Sequence, residues 1–263
     1  MNLYMASSLA WGYPADESIR IAKAHGLDGV EIWAEHVFYH QTEAEKIAEA
    51  AKELGIELTL HASSWDLNIC SMNQGILKQS VREIESSIDL ACKLGAKDVT
   101  LHPGRLTAGV FDAKQHEARL VDSLSMLDAY AWKRGITLSI ELMEPVAKEF
   151  ITKPEAMNRV LAQLPGRVCT TFDIAHVPLD RSPLRDLYQL KQTSKIHLSD
   201  SSVHTYHLPL GQGEIHLEPV LKHLELLELP VVLEGYEDGR ELTFLKAHLD
   251  YLNKHNRLKE TLC

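Results

Sequence analysis

Six residues with ionisable or imidazole side chains stand at or beside the ends of short apolar runs: His61, His102, Glu141, Asp173, His197 and Glu234. Their settings are alike, as in Thr-Leu-His61, Thr-Leu-His102, Ser-Ile-Glu141, Thr-Phe-Asp173, Lys-Ile-His197 and Val-Leu-Glu234. Three converging carboxylates would repel one another, raise one another's pKa and destabilise the chain. A divalent cation removes that conflict. Imidazole and carboxylate together suit Zn, Mn, Co or Fe rather than Ca. Any one of the six alone can be a polar strand end that meets water. Six of them point to a metal centre. With Zn, ligand distances of about 2.0–2.2 Å are expected.

Two further histidines follow this pattern. His176 comes three residues after Asp173 in Phe-Asp-Ile-Ala-His, and His207 opens the Gly/Pro-rich stretch His-Leu-Pro-Leu-Gly-Gln-Gly-Glu-Ile. Either can ligate a further ion, contact substrate, or lie in a surface loop. His204 and His216 are weaker candidates, and His25, His36, His40, His116, His223, His248 and His255 read as ordinary surface residues. Trp11, Trp33 and Trp65 can wall an apolar sugar pocket or pack in the core. Arg105, in His-Pro-Gly-Arg, can meet a phosphate or carboxylate, or stay a surface residue. No G-x-S-x-G, P-loop or Cys–His nucleophile pattern is present in the sequence.

These residues need a scaffold that places strand ends together. The chain predicts strands at 3–6, 29–32, 56–60, 98–101, 136–140, 168–172, 195–198 and 231–233, with helical periodicity between them. Leu77, Val81, Ile84, Ile88 and Ala91 form one apolar stripe. Gly26, Gly55, Gly95 and Gly135 each stand just before the next strand, where a left-handed helix stop is expected. Strands separated by whole helices must be parallel. Eight such units in about 250 residues predict a single-domain (β/α)8 TIM barrel over residues 1–263, whose C-terminal rim carries the chemistry. The first turn has no G-x-G-x-x-G, which argues against a doubly wound sheet.

The composition narrows the partners. The 263 residues carry 27 Lys+Arg against 37 Asp+Glu, a formal net charge of −10, and 14 His. An acidic chain without basic clusters in its rim loops is a poor nucleic-acid or anionic-lipid binder. No apolar run is long enough for a membrane span, and no secretion signal is read at the N-terminus. Cys70, Cys92, Cys169 and Cys263 form no C-x-x-C pair, which predicts a reducing, cytoplasmic setting. The expected partner is a small carbohydrate-like molecule, with a homo-oligomer left open.

The chain resembles the xylose-isomerase-like TIM-barrel superfamily, which includes endonuclease IV and the sugar phosphate isomerases and epimerases. The resemblance rests on His61-Ala-Ser-Ser-Trp-Asp-Leu-Asn, Leu101-His-Pro-Gly, Ile140-Glu-Leu-Met, Phe172-Asp-Ile-Ala-His, Ile196-His-Leu-Ser-Asp-Ser, the stretch from His207, and Leu233-Glu-Gly. It implies that Glu141, Asp173, His197 and Glu234 are core metal ligands. It further implies His61 and His102 as ligands of a second ion, and His176 and His207 as two ligands of a third. Thr205 stands where the endonuclease branch has an Asp, and Val203 and Ala147 stand where the ketose 3-epimerase branch has Arg and Glu. One to three divalent ions (Zn, Mn or Co) are therefore expected.

Two activities follow. The first is isomerisation or epimerisation of a sugar or sugar phosphate through an enediolate, with Glu141 and Glu234 as ligands and acid/base. His176, His207, Trp33, Trp65 and Arg105 would contact the substrate. The second is phosphodiester hydrolysis of the endonuclease IV (AP endonuclease) type.

Overall fold

The computed structural model describes residues 1–109 and 112–262. Eight parallel strands close into a barrel in chain order. They are β1 (Asn2–Ala6), β2 (Gly29–Trp33), β3 (Glu57–His61), β4 (Asp98–Leu101), β5 (Thr137–Glu141), β6 (Cys169–Asp173), β7 (Thr193–Leu198) and β8 (Pro230–Leu233). The ring closes where Leu3 pairs with Val231 and Met5 with Leu233. Helices α1 (Glu17–Ala24), α2 (Ala34–His40), α3 (Ala44–Leu54), α4 (Gln74–Leu94), α5 (Ala113–Trp132), α6 (Pro154–Leu161), α7 (Pro183–Gln189), α8 (Leu217–Leu224) and α9 (Thr243–Leu262) separate the strands and follow the last.

The glycine joints behave as the sequence predicts. Gly26, Gly55, Gly95 and Gly135 all have φ between 65° and 77°. A side chain there would meet its own backbone, so glycine ends each helix and turns the chain into the next strand. Asn73 starts α4 by accepting hydrogen bonds from the Gly75 and Ile76 amides. The predicted stripe of α4 buries Val81, Ile84, Ile88 and Ala91 against the barrel.

Two elements were not expected. A 3-10 turn, Ser7–Ala10, follows β1, and α2 stands between β2 and α3. Both are short. The sequence of α2, Ala-Glu-His-Val-Phe-Tyr-His, carries no clean apolar stripe, and left-handed Gln41 ends it.

Three histidines read as surface residues are instead fully buried: His36, His116 and His248. Each satisfies a loop. His36 Nε2 lies 2.8 Å from the Tyr13 carbonyl. His116 Nε2 accepts from the Thr107 amide at 2.9 Å. His248 Nε2 lies 3.1 Å from the Glu234 carbonyl, and its Nδ1 accepts from the Leu210 amide. These partners are backbone groups of loops that would otherwise go unpaired, which single-helix periodicity does not reveal. His25, His40, His223 and His255 are part-exposed. Cys70, Cys92 and Cys169 are free thiols; Cys263 lies outside the described residues. Among the described residues no helix is long and apolar enough to cross a membrane.

Candidate metal centre

All eight predicted ligand residues converge on the C-terminal mouth. His61, Glu141 and Asp173 end β3, β5 and β6, and His197 is the penultimate residue of β7. His102 and Glu234 follow β4 and β8 directly. They form three groups whose donor atoms lie within 4.8 Å of one another: His61–His102–Glu141, Glu141–Asp173–His197–Glu234, and Asp173–His176–His207.

In the first group, Glu141 Oε2 lies 3.4 Å from His61 Nε2 and 3.1 Å from His102 Nε2. His61 is oriented by its Nδ1, 2.9 Å from the Ala62 carbonyl, and by the Trp33 ring stacked on it at 4.3 Å. In the second, His197 Nδ1 lies 2.9 Å from Glu234 Oε2, 3.3 Å from Glu141 Oε1 and 3.9 Å from Asp173 Oδ2. In the third, His176 Nε2 lies 3.2 Å from His207 Nε2 and 3.7 Å from Asp173 Oδ2.

The donors fit a divalent ion. His197 Nδ1, Asp173 Oδ2 and Glu234 Oε2 are buried and make no hydrogen bond. Such orphaned polar atoms are costly unless something else binds them. In a tetrahedral set with bonds of about 2.0–2.2 Å, donor atoms sit about 3.3–3.6 Å apart. The observed separations bracket that spacing.

Within the mouth the carboxylates and imidazoles shift one another's pKa. Burial pushes Glu141 up, but His197, His102 and His61 hold it well below the usual carboxylate range. Glu234 is likewise lowered against its burial, chiefly by His197 and then His207. Asp173 is raised well above it by burial, although His176 opposes; Glu234 adds to the rise. Burial lowers His197, yet Glu234, Glu31 and Glu141 together raise it well above an ordinary histidine. His176 is raised to about 9, burial being outweighed by Asp173, Glu141 and Glu144. His207 is lowered by burial.

Beneath the donors lies a network that the sequence reading missed. Glu31, in the middle of β2, puts Oε2 2.6 Å from His197 Nε2. Its Oε1 accepts from Lys195 Nζ, and Lys195 also pairs with Asp98 at 2.9 Å. Thr100 donates to Glu31 and is linked to Thr171. Glu31, Lys195 and His197 are fully buried. Burial raises Glu31, but Lys195 and His197 bring it down to about 2. A charged residue inside a strand whose two faces are both covered was the available signal. Glu31 and Lys195 both carried it.

Loop anchors fix the outer donor residues. Asp200 accepts from the Gly211, Gly213, Ile215 and Ser201 amides and so folds the loop that bears His207. Ser199 Oγ lies 3.2 Å from His207 Nδ1. Asn68 accepts from the Arg105 amide and donates to the Arg105 carbonyl, which tethers the loop after His102. Gly104 in that loop has φ +79°, and a Cβ there would stand 2.6 Å from Asn68 Oδ1.

A cavity of about 430 Å³ opens beside the first group, lined by Trp33, Trp65, Arg105, His102, Asp66 and Glu149 among others. The three non-histidine residues expected to contact substrate therefore share one wall. Trp65 is 52% exposed, so it is not a core residue; Trp11 is buried and lies 5.2 Å from it, ring to ring. Glu35 on α2 pins the segment by accepting from the Ser64 and Trp65 amides. Glu149 is raised to about 7 by burial and by Glu144, although Arg105 opposes. A larger cavity of about 720 Å³ lies at the other end of the barrel, among residues such as Leu3, Asp28 and Leu249, far from any donor group.

Fold and site together define a parallel-barrel protein with imidazole and carboxylate donors gathered at its strand ends. The chain belongs to the xylose isomerase-like TIM barrel family, whose model matches residues 19–255. It is 23% identical over 240 residues to fructoselysine 3-epimerase of Escherichia coli O157:H7, covering 85% of this chain and 83% of that protein. It is 25% identical over 201 residues to a "Probable endonuclease 4" of Halobacterium salinarum, covering 68% and 71%. A solved D-tagatose 3-epimerase-like protein superposes with a TM-score of 0.84 over 100% of both chains at 22% identity, a likeness of fold.

Proposed function

We propose that the chain is a divalent-metal isomerase or epimerase of a sugar or sugar phosphate. One observation carries this reading: Glu141 and Glu234 approach His197 Nδ1 together, at 3.3 and 2.9 Å, with buried Asp173 beside them. When bound, a divalent ion supplies Lewis-acid polarisation of adjacent hydroxyl and carbonyl oxygens. Glu141, Asp173, His197 and Glu234 would hold it, and His61 with His102 would hold another beside Glu141. One of the two Glu carboxylates removes the proton next to the carbonyl, and the other returns it. Trp33 and Trp65 offer flat apolar faces to the sugar ring, and Arg105 offers a cation to a phosphate. His176 and His207 face the same mouth. The likeness to fructoselysine 3-epimerase over most of both chains supports the reaction class. The free thiols support a reducing, cytoplasmic setting.

The test is solvent deuterium uptake into a panel of ketoses and ketose phosphates by the metal-loaded protein. Glu141→Gln and Glu234→Gln are each expected to abolish it. Uptake that survives either exchange sinks the acid/base assignment.

A second reading, phosphodiester hydrolysis of the endonuclease IV type, is favoured by the three adjoining donor groups. Neighbouring ions about 3.5–4 Å apart can clamp the attacking and leaving oxygens. The net charge of −10 speaks against a DNA substrate. Nicking of abasic-site DNA by the metal-loaded protein would select this reading over the first.

A further inference from the structure

Trp11, on the segment after β1, is the hub of an aromatic cluster at the mouth. The rings of Trp65, Tyr39 and Tyr236 lie 5.2, 5.4 and 5.5 Å from it, centroid to centroid, each tilted against it. Trp11 itself is buried, but Trp65 and Tyr236 are 52% exposed and Tyr39 is 68% exposed. The four residues stand on the segments that follow β1, β2, β3 and β8, so four neighbouring rim segments meet in one cluster.

These exposed rings are held in place. The Trp11 amide donates to the Glu237 carbonyl at 3.2 Å and the Glu237 amide to the Ser8 carbonyl at 3.1 Å, which ties the Trp11 and Tyr236 segments together. A side chain at Gly12 would collide with the Asp238 and Gly239 carbonyls, so the two segments touch backbone to backbone. His40, one residue after Tyr39, has Nε2 2.7 Å from the Trp11 carbonyl. Glu35 on the same helix accepts from the Ser64 and Trp65 amides. Each exposed ring thus stands on α2 or on a segment anchored to α2 or to Trp11. Rings fixed before binding lose little freedom when a ligand lands on them. Contiguous exposed aromatic surface marks a binding site.

The chemistry of the rings selects the ligand. Tyr and Trp present flat apolar faces with polar tips, which suits a sugar ring, with its C–H faces and hydroxyl edge, better than an aliphatic chain. Burial, then Asp238 and Tyr39, push the Tyr236 phenol up, so it stays a neutral hydroxyl. Trp65 belongs both to the cluster and to the cavity beside His102, so the cluster continues that cavity outward. Asp66, on the same cavity wall, adds an acceptor for hydroxyls.

We propose that Tyr39, Trp65 and Tyr236 form an outer subsite for a second sugar ring, so that the substrate is a ketose carrying a glycosyl unit rather than a free monosaccharide. The inference rests on the reading of the mouth as a sugar isomerase or epimerase, and it names the substrate class of that site.

The test is calorimetric titration of the full-length, metal-loaded protein with D-fructose, isomaltulose and lactulose. The last two are ketoses that carry a second hexose ring at different positions. At least one of them is expected to bind about threefold to tenfold tighter than D-fructose, the gain from a stacking contact. Tyr39→Ala and Tyr236→Ala are each expected to erase most of that gain and to leave D-fructose binding within about twofold of wild type. Tyr39→Phe and Tyr236→Phe keep the ring face and are expected to keep the gain; its loss in them counts against stacking. Two-ring sugars that bind no tighter than D-fructose, or a gain that survives both alanine exchanges, overturn the subsite. Binding by none of the three sugars overturns it as well. A two-ring sugar that needs the tyrosines to bind but takes up no solvent deuterium leaves the subsite standing and sinks the isomerase reading. Sedimentation tests the other occupant: a dimer that either alanine exchange splits makes the patch an interface between two copies and overturns the proposal. Both tyrosines are exposed, and circular dichroism melting checks that their variants are folded.

Discussion

Glu31 Oε2 lies 2.6 Å from His197 Nε2, while the other nitrogen of the same ring faces Glu234 at 2.9 Å. The ring is thus held between a carboxylate below it and the donor group above it. A carboxylate behind a ligating histidine fixes the tautomer and the ring orientation, and its loss typically weakens metal binding about 10–100-fold. Glu31→Gln is expected to weaken divalent affinity by that factor while the barrel still folds. Chelator competition measures it. An affinity within about twofold of wild type would show that Glu31 does not orient His197.

Lys195 is the counter-charge of Glu31. Its ammonium also meets Asp98, and burial, which lowers it, is outweighed by Asp98 and Glu31, so its pKa is raised. Lys195→Met leaves two carboxylates without their cation inside the barrel. Breaking a buried pair from one side costs about 3–5 kcal/mol. Urea denaturation at neutral pH is expected to show a loss of that size, and a loss under about 1 kcal/mol would refute the balance drawn here.

Acid stability has a source outside the mouth. Burial lowers both His36 and His248 to about 4. Unfolded, each would titrate near its ordinary value of about 6.5. Above that pH both states are neutral and neither histidine weakens the fold. As pH falls from about 6.5 to 4, the unfolded chain takes up protons that the native state refuses, so stability is lost. Each contributes a loss on the order of 3 kcal/mol across that window. His36→Gln is expected to shrink the acid-dependent loss relative to wild type, even if it lowers stability at pH 7.5. Denaturation midpoints at several pH values between 7.5 and 4.5 check this; parallel curves for the two proteins would contradict it.

The exposed indole of Trp65 offers a stacking face on the cavity wall. An aromatic stacking contact contributes about 0.5–1.5 kcal/mol. Trp65→Ala is therefore expected to raise KM about threefold to tenfold with kcat little changed, as befits uniform binding. The substrate identified by deuterium uptake supplies the assay. A fall in kcat at unchanged KM would place Trp65 nearer the reacting atoms than a wall residue.

Much of this architecture is legible in the chain itself. The four helix-stopping glycines and the apolar stripe of α4 are local signals, and each has one physical solution. The candidate donor residues are legible because an acid or imidazole ending an apolar run violates the burial of a parallel strand. Glu31 and Lys195 violate the same rule, but they compensate each other across the barrel, 164 residues apart in sequence. Such a pair becomes visible only when β2 and β7 are set on one ring. His36, His116 and His248 were misread for a related reason. Their partners are groups of other segments, and helical spacing says nothing of a loop that folds over a helix.

The donor residues are drawn from six consecutive strands, β3 to β8, while β1 and β2 supply none. An ion bound at Glu141 would therefore act as a hub with spokes to much of the ring. Its removal is a mechanical event as well as a chemical one. Chelation should speed amide exchange most along the arc from β3 to β8, reach β2 only through the Glu31–His197 and Trp33–His61 contacts, and leave β1 nearly as it was, dividing one closed barrel into a tense part and an indifferent one.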